Sequence, residues 1–236
     1  MTAHHLFIVT SAINTRFGVF NHEERLHQTL ATVESIKQHI PDASILLVEM
    51  SAVALSDKQK NFLSSAVNQV IYFSSDADVQ SIYKNDNWDV VKNLTEVMCF
   101  QKMLGFCNTN HLFDKFDRIH KISGRYFLNK NFNKAIYEDC SKIILAHKKK
   151  SQFSFDLTGV KYQFMSRLWS WPKSLTSEVI KTYKDGFIYM YQRISQNGYC
   201  DIEHMLYKHL PQELIHTVDK IGIEGMLGPN GIRIDD

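Results

Sequence analysis

Cysteine and proline are both scarce in this 236-residue chain, which contains 4 of each. Cys99, Cys107, Cys140 and Cys200 form no CxxC pair and do not stand in the His-rich spacing of a structural zinc site. This usage favours a reducing compartment, and we expect a cytoplasmic protein. No repeat, low-complexity tract or Pro/Gly-rich linker divides the sequence, which predicts one compact body.

Excess charge and long apolar runs are also missing. Lys and Arg number 27 and Asp and Glu 25, a net charge of +2, which argues against a dedicated nucleic-acid binder. No apolar stretch approaches the length of a transmembrane helix, and the N-terminal run at residues 6–9 is too short for the core of a signal peptide. Apolar residues at 44% and charged residues at 22% exclude wholesale disorder.

Glycine is absent where several nucleotide enzymes need it. The loop after the first predicted strand reads TSAINTRFGVF and has a single glycine, Gly18. Neither GxGxxG nor GxxxxGK[ST] occurs, so a dehydrogenase or NTPase of the usual kinds is disfavoured. No GxSxG occurs either, which weakens the case for a hydrolase with a nucleophile elbow.

Strand and helix patterns alternate along the first half of the chain. Short apolar runs predict strands, and apolar residues at spacings of three and four predict helices. The order is strand 5–11, helix 23–40, strand 44–49, a helix opened by Ser56, strand 69–73, helix 90–106 and strand 116–122. This alternation predicts an α/β fold with a mainly parallel sheet and helices on both faces. Further strands are predicted at 142–146 and 220–227, and helices at 175–196 and 202–210.

Polar side chains follow the first predicted strand, where ligands of parallel sheets bind. Thr10, Ser11, Asn14 and Arg16 offer hydroxyl, amide and guanidinium groups. These groups suit a base, a ribose and a phosphate, and they suit loop capping equally well. Arg16 is the best placed of them for a phosphate.

The segment HKISGRYFLN, residues 120–129, ends the fourth strand. With the preceding βα units it resembles the N-terminal half of a GT-A-type glycosyltransferase, and K-x-S-G-R-Y resembles a signature of bacterial and phage enzymes, including lipopolysaccharide-biosynthesis types. The similarity covers residues 5–130. It implies a GT-A-like fold in which residues 1–130 bind a nucleotide sugar such as a UDP- or GDP-sugar. Residues 131–236 would form the smaller C-terminal lobe of the same compact domain and bind a glycan or other hydroxyl acceptor.

GT-A enzymes commonly carry Asp-x-Asp at this strand end, where the carboxylates hold a divalent ion against the sugar diphosphate. This chain has Ser123, Gly124 and Arg125 instead. Arginine grips phosphate in bidentate fashion and is always charged, so Arg125 can take over part of the ion's task, with Lys121 as a second cation. No metal ligand is assigned, and dependence on Mn²⁺ or Mg²⁺ stays open. The alternative interpretation makes Gly124 a turn residue and Arg125 a surface cation.

An Asp-x-Asp does occur at residues 76–78, but it follows the third strand. We interpret it as a solvated loop, with contact to ribose hydroxyls as the alternative. The resemblance also implies that the helix at 90–106 borders the donor sugar. Lys102 on that helix is therefore a candidate diphosphate contact.

The densest acid/base cluster of the chain is Asp201, Glu203 and His204. Asp201 can cap the helix that follows, which alone would explain it. In inverting transferases of the type resembled, a carboxylate from the C-terminal half deprotonates the acceptor hydroxyl. Glu203 or Asp201 is thus the candidate base, and His204 could orient it or bind a metal. The sequence does not choose between inversion and retention.

Two tryptophans suggest an acceptor platform. Trp169 and Trp171 fall on one side of an extended segment, and with Asp156 they could bind a sugar ring, although core packing explains the tryptophans equally well. Lys148, Lys149 and Lys150 are a solvated loop or a basic rim. A tail with four glycines, at residues 222, 225, 228 and 231, is predicted to close over the site.

These patterns favour a glycosyltransferase with a nucleotide-sugar donor. A second hypothesis is a noncatalytic nucleotide- or glycan-binding module that lost its metal carboxylates. A nucleotidyltransferase is a third, disfavoured because the first loop is poor in glycine.

Overall fold

The computed structural model describes residues 3–228 and 230–236. The strands are β1 (His5–Ser11), β2 (Ser44–Glu49), β3 (Gln69–Tyr72), β4 (Arg118–Ser123), β5 (Tyr126–Leu128), β6 (Ile143–Ala146), β7 (Lys149–Lys150), β8 (Tyr162–Gln163), β9 (Leu168–Pro172), β10 (Ile215–Val218), β11 (Ile223–Met226) and β12 (Arg233–Asp235). The helices are α1 (His22–His39), α2 (Asp57–Ala66), α3 (Ala77–Ile82), α4 (Trp88–Thr109), α5 (Phe155–Thr158), α6 (Thr176–Ser195) and α7 (Ile202–His209).

Seven strands form the central sheet, in the order β10-β6-β9-β4-β1-β2-β3. β4 is the middle strand of this order, and its neighbour β1 pairs in parallel with both β4 and β2, with Thr10 of β1 opposite Ser123 of β4. β9 runs antiparallel to both β4 and β6. The predicted mainly parallel α/β sheet is confirmed, and it includes strands from both halves of the chain.

Local sequence signals explain most of the element boundaries. Asn21 caps α1 with a full capping box, in which Glu24 reaches back to the backbone N–H of Asn21. Ser56 and Gln59 do the same for α2. α3 was not predicted because it is only six residues long and lies in a polar segment, where Asp76 caps it through the N–H groups of Asp78 and Val79.

Two small sheets lie beside the central one. β5, β11 and β12 form an antiparallel sheet, in which the C-terminal tail pairs with the segment that follows β4. Gly225 is required there, because a Cβ atom at this position would lie 2.1 Å from the Arg125 carbonyl oxygen. β7 and β8 form a separate hairpin. In the described part of the chain, no helix has the length and apolar character needed to cross a bilayer.

Two histidines are buried between β1 and β4. His5 Nδ1 lies 2.9 Å from His120 Nε2, and the His120 ring stacks on Phe7 with ring centroids 4.2 Å apart. Burial, and then the neighbouring His5, lowers the pKa of His120 well below its usual value. Burial, and then the charge of Lys134, lowers the pKa of His5. Both rings are therefore neutral in the folded protein at neutral pH.

This pair predicts acid sensitivity. Below pH of about 6.5 the unfolded chain binds protons at these histidines that the folded chain does not bind. The free energy of unfolding should therefore fall as pH decreases, by up to about 1.4 kcal/mol per pH unit for His120 alone. Urea unfolding at several pH values measures this slope. His120→Gln should flatten it while the exposed control His22→Gln leaves it unchanged, and equal slopes in all three proteins would contradict the assignment.

Candidate functional site

The carboxyl ends of β1 and β4 open into a pocket that contains about 870 Å³ of empty space, including its mouth. Strand ends, α1, α4 and the tail all contribute to its walls. The polar and charged lining residues are Thr10, Ser11, Thr15, Arg25, Thr29, Tyr83, Lys92, Thr95, Glu96, Ser123 and Arg125. Phe17 and Trp88 add an aromatic wall, with their rings at a right angle and centroids 5.3 Å apart.

Two guanidinium groups dominate the charge of this pocket. Arg25 is buried and donates to the backbone carbonyls of Phe20, Ala12 and Phe17, at 3.4, 3.2 and 3.2 Å. Burial, and then the positive charge of Arg125, lowers the pKa of Arg25 to about 10. Arg125 Nε is buried without a hydrogen-bond partner, and neither guanidinium forms an ion pair within residues 3–228 and 230–236. The pocket is therefore ready to bind an anion.

The backbone brings the strand ends close together at this point. The Gly124 N–H donates to the Thr10 carbonyl at 2.8 Å, and a Cβ atom at Gly124 would lie 3.2 Å from that oxygen and 3.0 Å from Thr29 Oγ1. The tail also reaches the pocket, because the Val19 N–H donates to the Gly228 carbonyl at 3.2 Å. A Cβ atom at Gly228 would lie 3.2 Å from Arg125 Cζ. This placement agrees with the prediction that the glycine-bearing tail covers the strand ends.

Lys121 is a fully buried cation beside the pocket. Its Nζ donates to Ser123 Oγ at 2.8 Å, to the Ser166 carbonyl at 2.9 Å and to Glu96 Oε1 at 3.2 Å. Burial alone would raise the pKa of Glu96, but the charges of Lys121, Lys92 and Arg125 together outweigh it and lower the pKa. Lys121 is therefore ion-paired with Glu96 and does not line the pocket, which argues against its predicted role as a second cation for the diphosphate.

The second predicted cluster lies next to this network. Ser166, whose carbonyl binds Lys121, donates its hydroxyl to Glu203 Oε1 at 2.6 Å. Burial, and then the negative charge of Asp201, raises the pKa of Glu203. Ser166 and Lys121 thus connect Glu203, which does not itself line the pocket, to Glu96 in the pocket wall.

Asp201 and His204 are held in place by hydrogen bonds to each other and to neighbouring side chains. Asp201 caps α7 through the His204 N–H, and its Oδ1 lies 2.5 Å from His204 Nδ1. Tyr199 donates to the other carboxylate oxygen at 3.1 Å. His204 Nε2 lies 2.9 Å from Ser151 Oγ. The carboxylate of Asp201 is thus already occupied by these partners, which leaves Glu203 as the stronger candidate for proton transfer.

Two carboxylates near the strand ends, Glu49 and Glu96, already have partners within the protein. Glu49 is buried and accepts from Ser11 Oγ and from the N–H groups of Ile13 and Ser51. Burial raises the pKa of Glu49, and Glu96 is bound by Lys121. Across residues 3–228 and 230–236, no group of three or more His, Cys, Asp or Glu side chains is arranged around a common metal position.

Besides Lys121, three residues predicted to bind the donor lie outside the pocket. The Asn14 amide donates to the Ala54 carbonyl at 2.9 Å and accepts from Gln59 at 3.0 Å, so it caps the loop. Arg16 donates to the Asn85 carbonyl at 2.6 Å and pairs with Asp86 at 3.1 Å. Lys102 forms ion pairs of 2.7 Å with Asp76 and Asp78, which accounts for the Asp-x-Asp of that loop. Thr10, Ser11, Ser123, Gly124 and Arg125 do line the pocket.

The predicted acceptor platform is corrected by the structure. Trp169 and Trp171 share one face of β9, as their spacing predicts, with ring centroids 4.8 Å apart. Both are 0% exposed and pack in the core with Phe100 and Tyr183, so neither ring can touch a sugar. Asp156 lies on exposed α5, where it is not part of the pocket.

Sequence reasoning missed three residues that line the pocket: Arg25, Thr29 and Lys92. The signal for the first two was present, since Arg25, Thr29 and Thr32 are polar residues spaced four and three apart on α1, and all three are buried. Such a stripe occupies one helix face, and this helix directly follows the first strand and its loop. Lys92 stands in the first two turns of α4 with no comparable signal.

Comparisons with known proteins support the fold. No family model matches the sequence, and no curated protein matches it. Among solved structures, the chain is similar to core-mannan synthase A (CmsA/Ktr4) from Aspergillus fumigatus in its Mn/GDP form, with a TM-score of 0.55 and 7% sequence identity. The similarity covers 96% of this chain and 76% of that one. The chain therefore has a GT-A-like fold.

Proposed function

We propose that this protein is a glycosyltransferase that moves a sugar from a nucleotide-sugar donor to a hydroxyl acceptor. The observation that carries the proposal is a pair of guanidinium groups, Arg25 and Arg125, in the strand-end pocket of a GT-A-like fold, with no ion-pair partner among the described residues. Ligands of open α/β sheets bind at this end of the strands. The structural neighbour was solved with GDP and Mn, which agrees with a nucleotide ligand.

The pocket is suited to a nucleoside diphosphate. Arg125, Arg25 and Lys92 can neutralise the two phosphates, because guanidinium groups bind phosphate oxygens through paired N–H groups. The hydroxyls of Thr10, Ser11 and Ser123 suit ribose or phosphate oxygens, and the wall of Phe17 and Trp88 suits a base. In the donor complex these cations would do the work that a metal ion does where carboxylates are present.

The same cations favour bond breaking. As the bond between the anomeric carbon and the diphosphate oxygen breaks, negative charge grows on the leaving diphosphate, and preorganised donors stabilise it most in the transition state. The acceptor oxygen forms the new bond to the anomeric carbon and gives its proton to Glu203. A base in this place corresponds to inversion at the anomeric carbon; a retaining enzyme would not need it.

Glu203 is the base that we propose. Its raised pKa, caused by burial and by Asp201, strengthens it as a proton acceptor at neutral pH. The hydroxyl of Ser166 orients the carboxylate toward the Lys121 network. Asp201 and His204 act as positioning residues that fix the start of α7 and therefore the place of Glu203.

The alternative is a noncatalytic nucleotide-binding module. The specific observation that favours it is the absence of a carboxylate pair at the end of β4, where Ser123, Gly124 and Arg125 stand. A binding module and a transferase both require the cationic pocket. They differ in whether a sugar is released from the donor.

A thermal-shift panel of nucleoside diphosphates and nucleotide sugars tests the pocket, with EDTA or Mn²⁺ added in parallel. A ligand at about 100 times its dissociation constant should stabilise the fold by about 2.7 kcal/mol. We expect at least one nucleoside diphosphate to stabilise the protein in EDTA. No shift across the panel would remove the transferase and the binding module together, and binding without donor turnover on any acceptor would favour the module.

A further inference from the structure

One short, exposed segment of this protein carries a net positive charge. Residues 147–163, which we call the basic hairpin, comprise β7, α5 and β8. The hairpin contains four lysines and one aspartate, a net charge of +3, whereas the whole chain has a net charge of +2. The lysines are Lys148, Lys149, Lys150 and Lys161, and all four are exposed.

The basic hairpin also exposes large apolar side chains. Phe155 is 55% exposed, Leu157 42%, Phe153 40% and Tyr162 39%. These residues lie within ten positions of one another and share a segment with the lysines. A cluster of exposed aromatic and aliphatic groups is a mark of an interaction surface, unlike apolar residues that are scattered singly.

The exposure is not a consequence of a loose loop. Tyr199 N–H donates to the Leu157 carbonyl at 2.9 Å, and the Tyr189 hydroxyl donates to the Thr158 carbonyl at 2.6 Å. Ser151 is joined to the buried His204 at 2.9 Å. The backbone of the basic hairpin is therefore anchored on α6 and α7 while its apolar side chains remain in solvent.

Most of the lysines are available for an external partner. Lys149 pairs with Asp236 at 3.4 Å. Lys148, Lys150 and Lys161 form no ion pair with the described residues, and Lys148 Nζ lies 4.9 Å from the ring centroid of Tyr162. Lysine stems can lie along apolar groups while the ammonium reaches polar headgroups, so lysines beside inserted phenylalanines are compatible with a membrane interface.

We propose that the basic hairpin docks this protein on the surface of an anionic lipid bilayer. Phe155 and Leu157 would enter the boundary between headgroups and acyl chains, and Lys148, Lys150 and Lys161 would contact the anionic headgroups. Interfacial binding combines these two contributions, apolar burial and attraction to anionic lipid. A partner held by charge alone would leave Phe155 and Leu157 without a role, and the net charge of +2 of the whole chain argues against a nucleic acid.

Docking would set the orientation of the candidate active site. The Phe164 N–H, which directly follows β8, donates to the Glu203 carbonyl at 3.1 Å. A bilayer bound at the basic hairpin would therefore lie on the same side of the molecule as α7. If the proposed function holds, the acceptor hydroxyls would belong to molecules carried at that membrane surface.

Vesicle co-sedimentation tests the docking without any enzymatic assay, so it stays informative if the proposed function fails. Wild-type protein should sediment with vesicles of phosphatidylglycerol and phosphatidylcholine in equal amounts and stay in solution with phosphatidylcholine alone. The triple variant Lys148→Gln, Lys150→Gln, Lys161→Gln should lose at least about tenfold in partitioning, since each lysine near an anionic surface contributes roughly fivefold. The double variant Phe155→Ser, Leu157→Ser should lose a similar amount.

The matched control is Lys58→Gln, Phe62→Ser on α2. Phe62 is 46% exposed and Lys58 Nζ lies 5.9 Å from its ring centroid, so this variant removes a similar lysine and phenylalanine elsewhere on the surface. It should partition like wild type. Phe155→Trp supplies a readout that does not depend on a loss of binding, because its fluorescence should shift to the blue with anionic vesicles.

Three results would overturn the proposal. The first is no sedimentation of wild-type protein with anionic vesicles. The second is an equal loss in the control variant. The third is binding that needs the lysines but not Phe155 and Leu157, with no blue shift for Phe155→Trp. This result would show attraction by charge alone, without entry of the apolar side chains into the bilayer.

Discussion

Glu203→Gln should lower the turnover number by about 10² to 10⁴ while donor binding hardly changes, because glutamine keeps the size of the side chain but cannot accept the acceptor proton. The Ser166 hydroxyl can still donate to the amide oxygen, so the local fold should be retained. Release of nucleoside diphosphate with a competent acceptor measures the turnover. Thermal stabilisation by the donor, measured on the same samples, shows whether binding is intact.

Two matched variants accompany Glu203→Gln. Glu213→Gln removes an exposed carboxylate from the same half of the chain and should leave the rate unchanged. Asp201→Asn keeps a helix cap, since asparagine caps about as well as aspartate, and should cost less activity than Glu203→Gln. Its partners, Tyr199 and His204, already occupy the carboxylate. A rate near wild type for Glu203→Gln would show that Glu203 is not the base.

The raised pKa of Glu203 adds a pH dependence to this prediction. A base must be deprotonated to act, so the rate should rise with pH through the raised pKa of Glu203 and then level off. The midpoint of this rise in rate should lie above about 4.3, the pKa of an ordinary glutamate. If an active enzyme instead shows this midpoint at the ordinary glutamate pKa, a more solvated carboxylate would be the base.

Arg125→Ala should weaken the binding of a nucleoside diphosphate by about 10- to 100-fold. Hydrogen bonds to charged groups contribute about 1.5 to 3 kcal/mol, and each 1.4 kcal/mol is a factor of ten in the dissociation constant. The loss should fall on the diphosphate, so a nucleoside without phosphates should bind wild type and variant alike. Isothermal titration in EDTA measures both ligands.

Arg16→Ala is the control for Arg125→Ala. Arg16 is a second arginine near the first loop, but it binds the Asn85 carbonyl and Asp86 and does not line the pocket. Its replacement should leave the affinity unchanged. Equal and small effects of the two substitutions would make Arg125 a surface cation. A loss in Asp76→Ala that appears only with Mn²⁺ would instead place the diphosphate at the loop of residues 76–78.

Much of the site could be predicted because parallel strands place their carboxyl ends at one edge of the sheet. Thr10, Ser11, Ser123 and Arg125 meet in the pocket for that reason alone, since β1 and β4 are neighbours. Arg25 could not be assigned in the same way. Periodicity shows that it shares a helix face with Thr29, but only tertiary packing turns that face toward the strand ends.

The tryptophans show the opposite limit of sequence reasoning. A spacing of two places Trp169 and Trp171 on the same face of a strand, and this prediction is confirmed. Whether that face is open or covered depends on distant elements, here Tyr183 of α6 and Phe100 of α4. The neutralisation of Lys121 by Glu96 and of Lys102 by Asp76 also depends on pairings between elements far apart in sequence.

The central claim is that a nucleoside diphosphate binds at the ends of β1 and β4 through arginines. A crystal structure of the protein soaked with the nucleoside diphosphate that stabilises it most, in EDTA, tests this claim most directly. The account predicts phosphate oxygens within hydrogen-bond distance of the guanidinium groups of both Arg25 and Arg125. Density for the diphosphate elsewhere on the molecule, or in this pocket only when Mn²⁺ is added and is held by carboxylates, would contradict it.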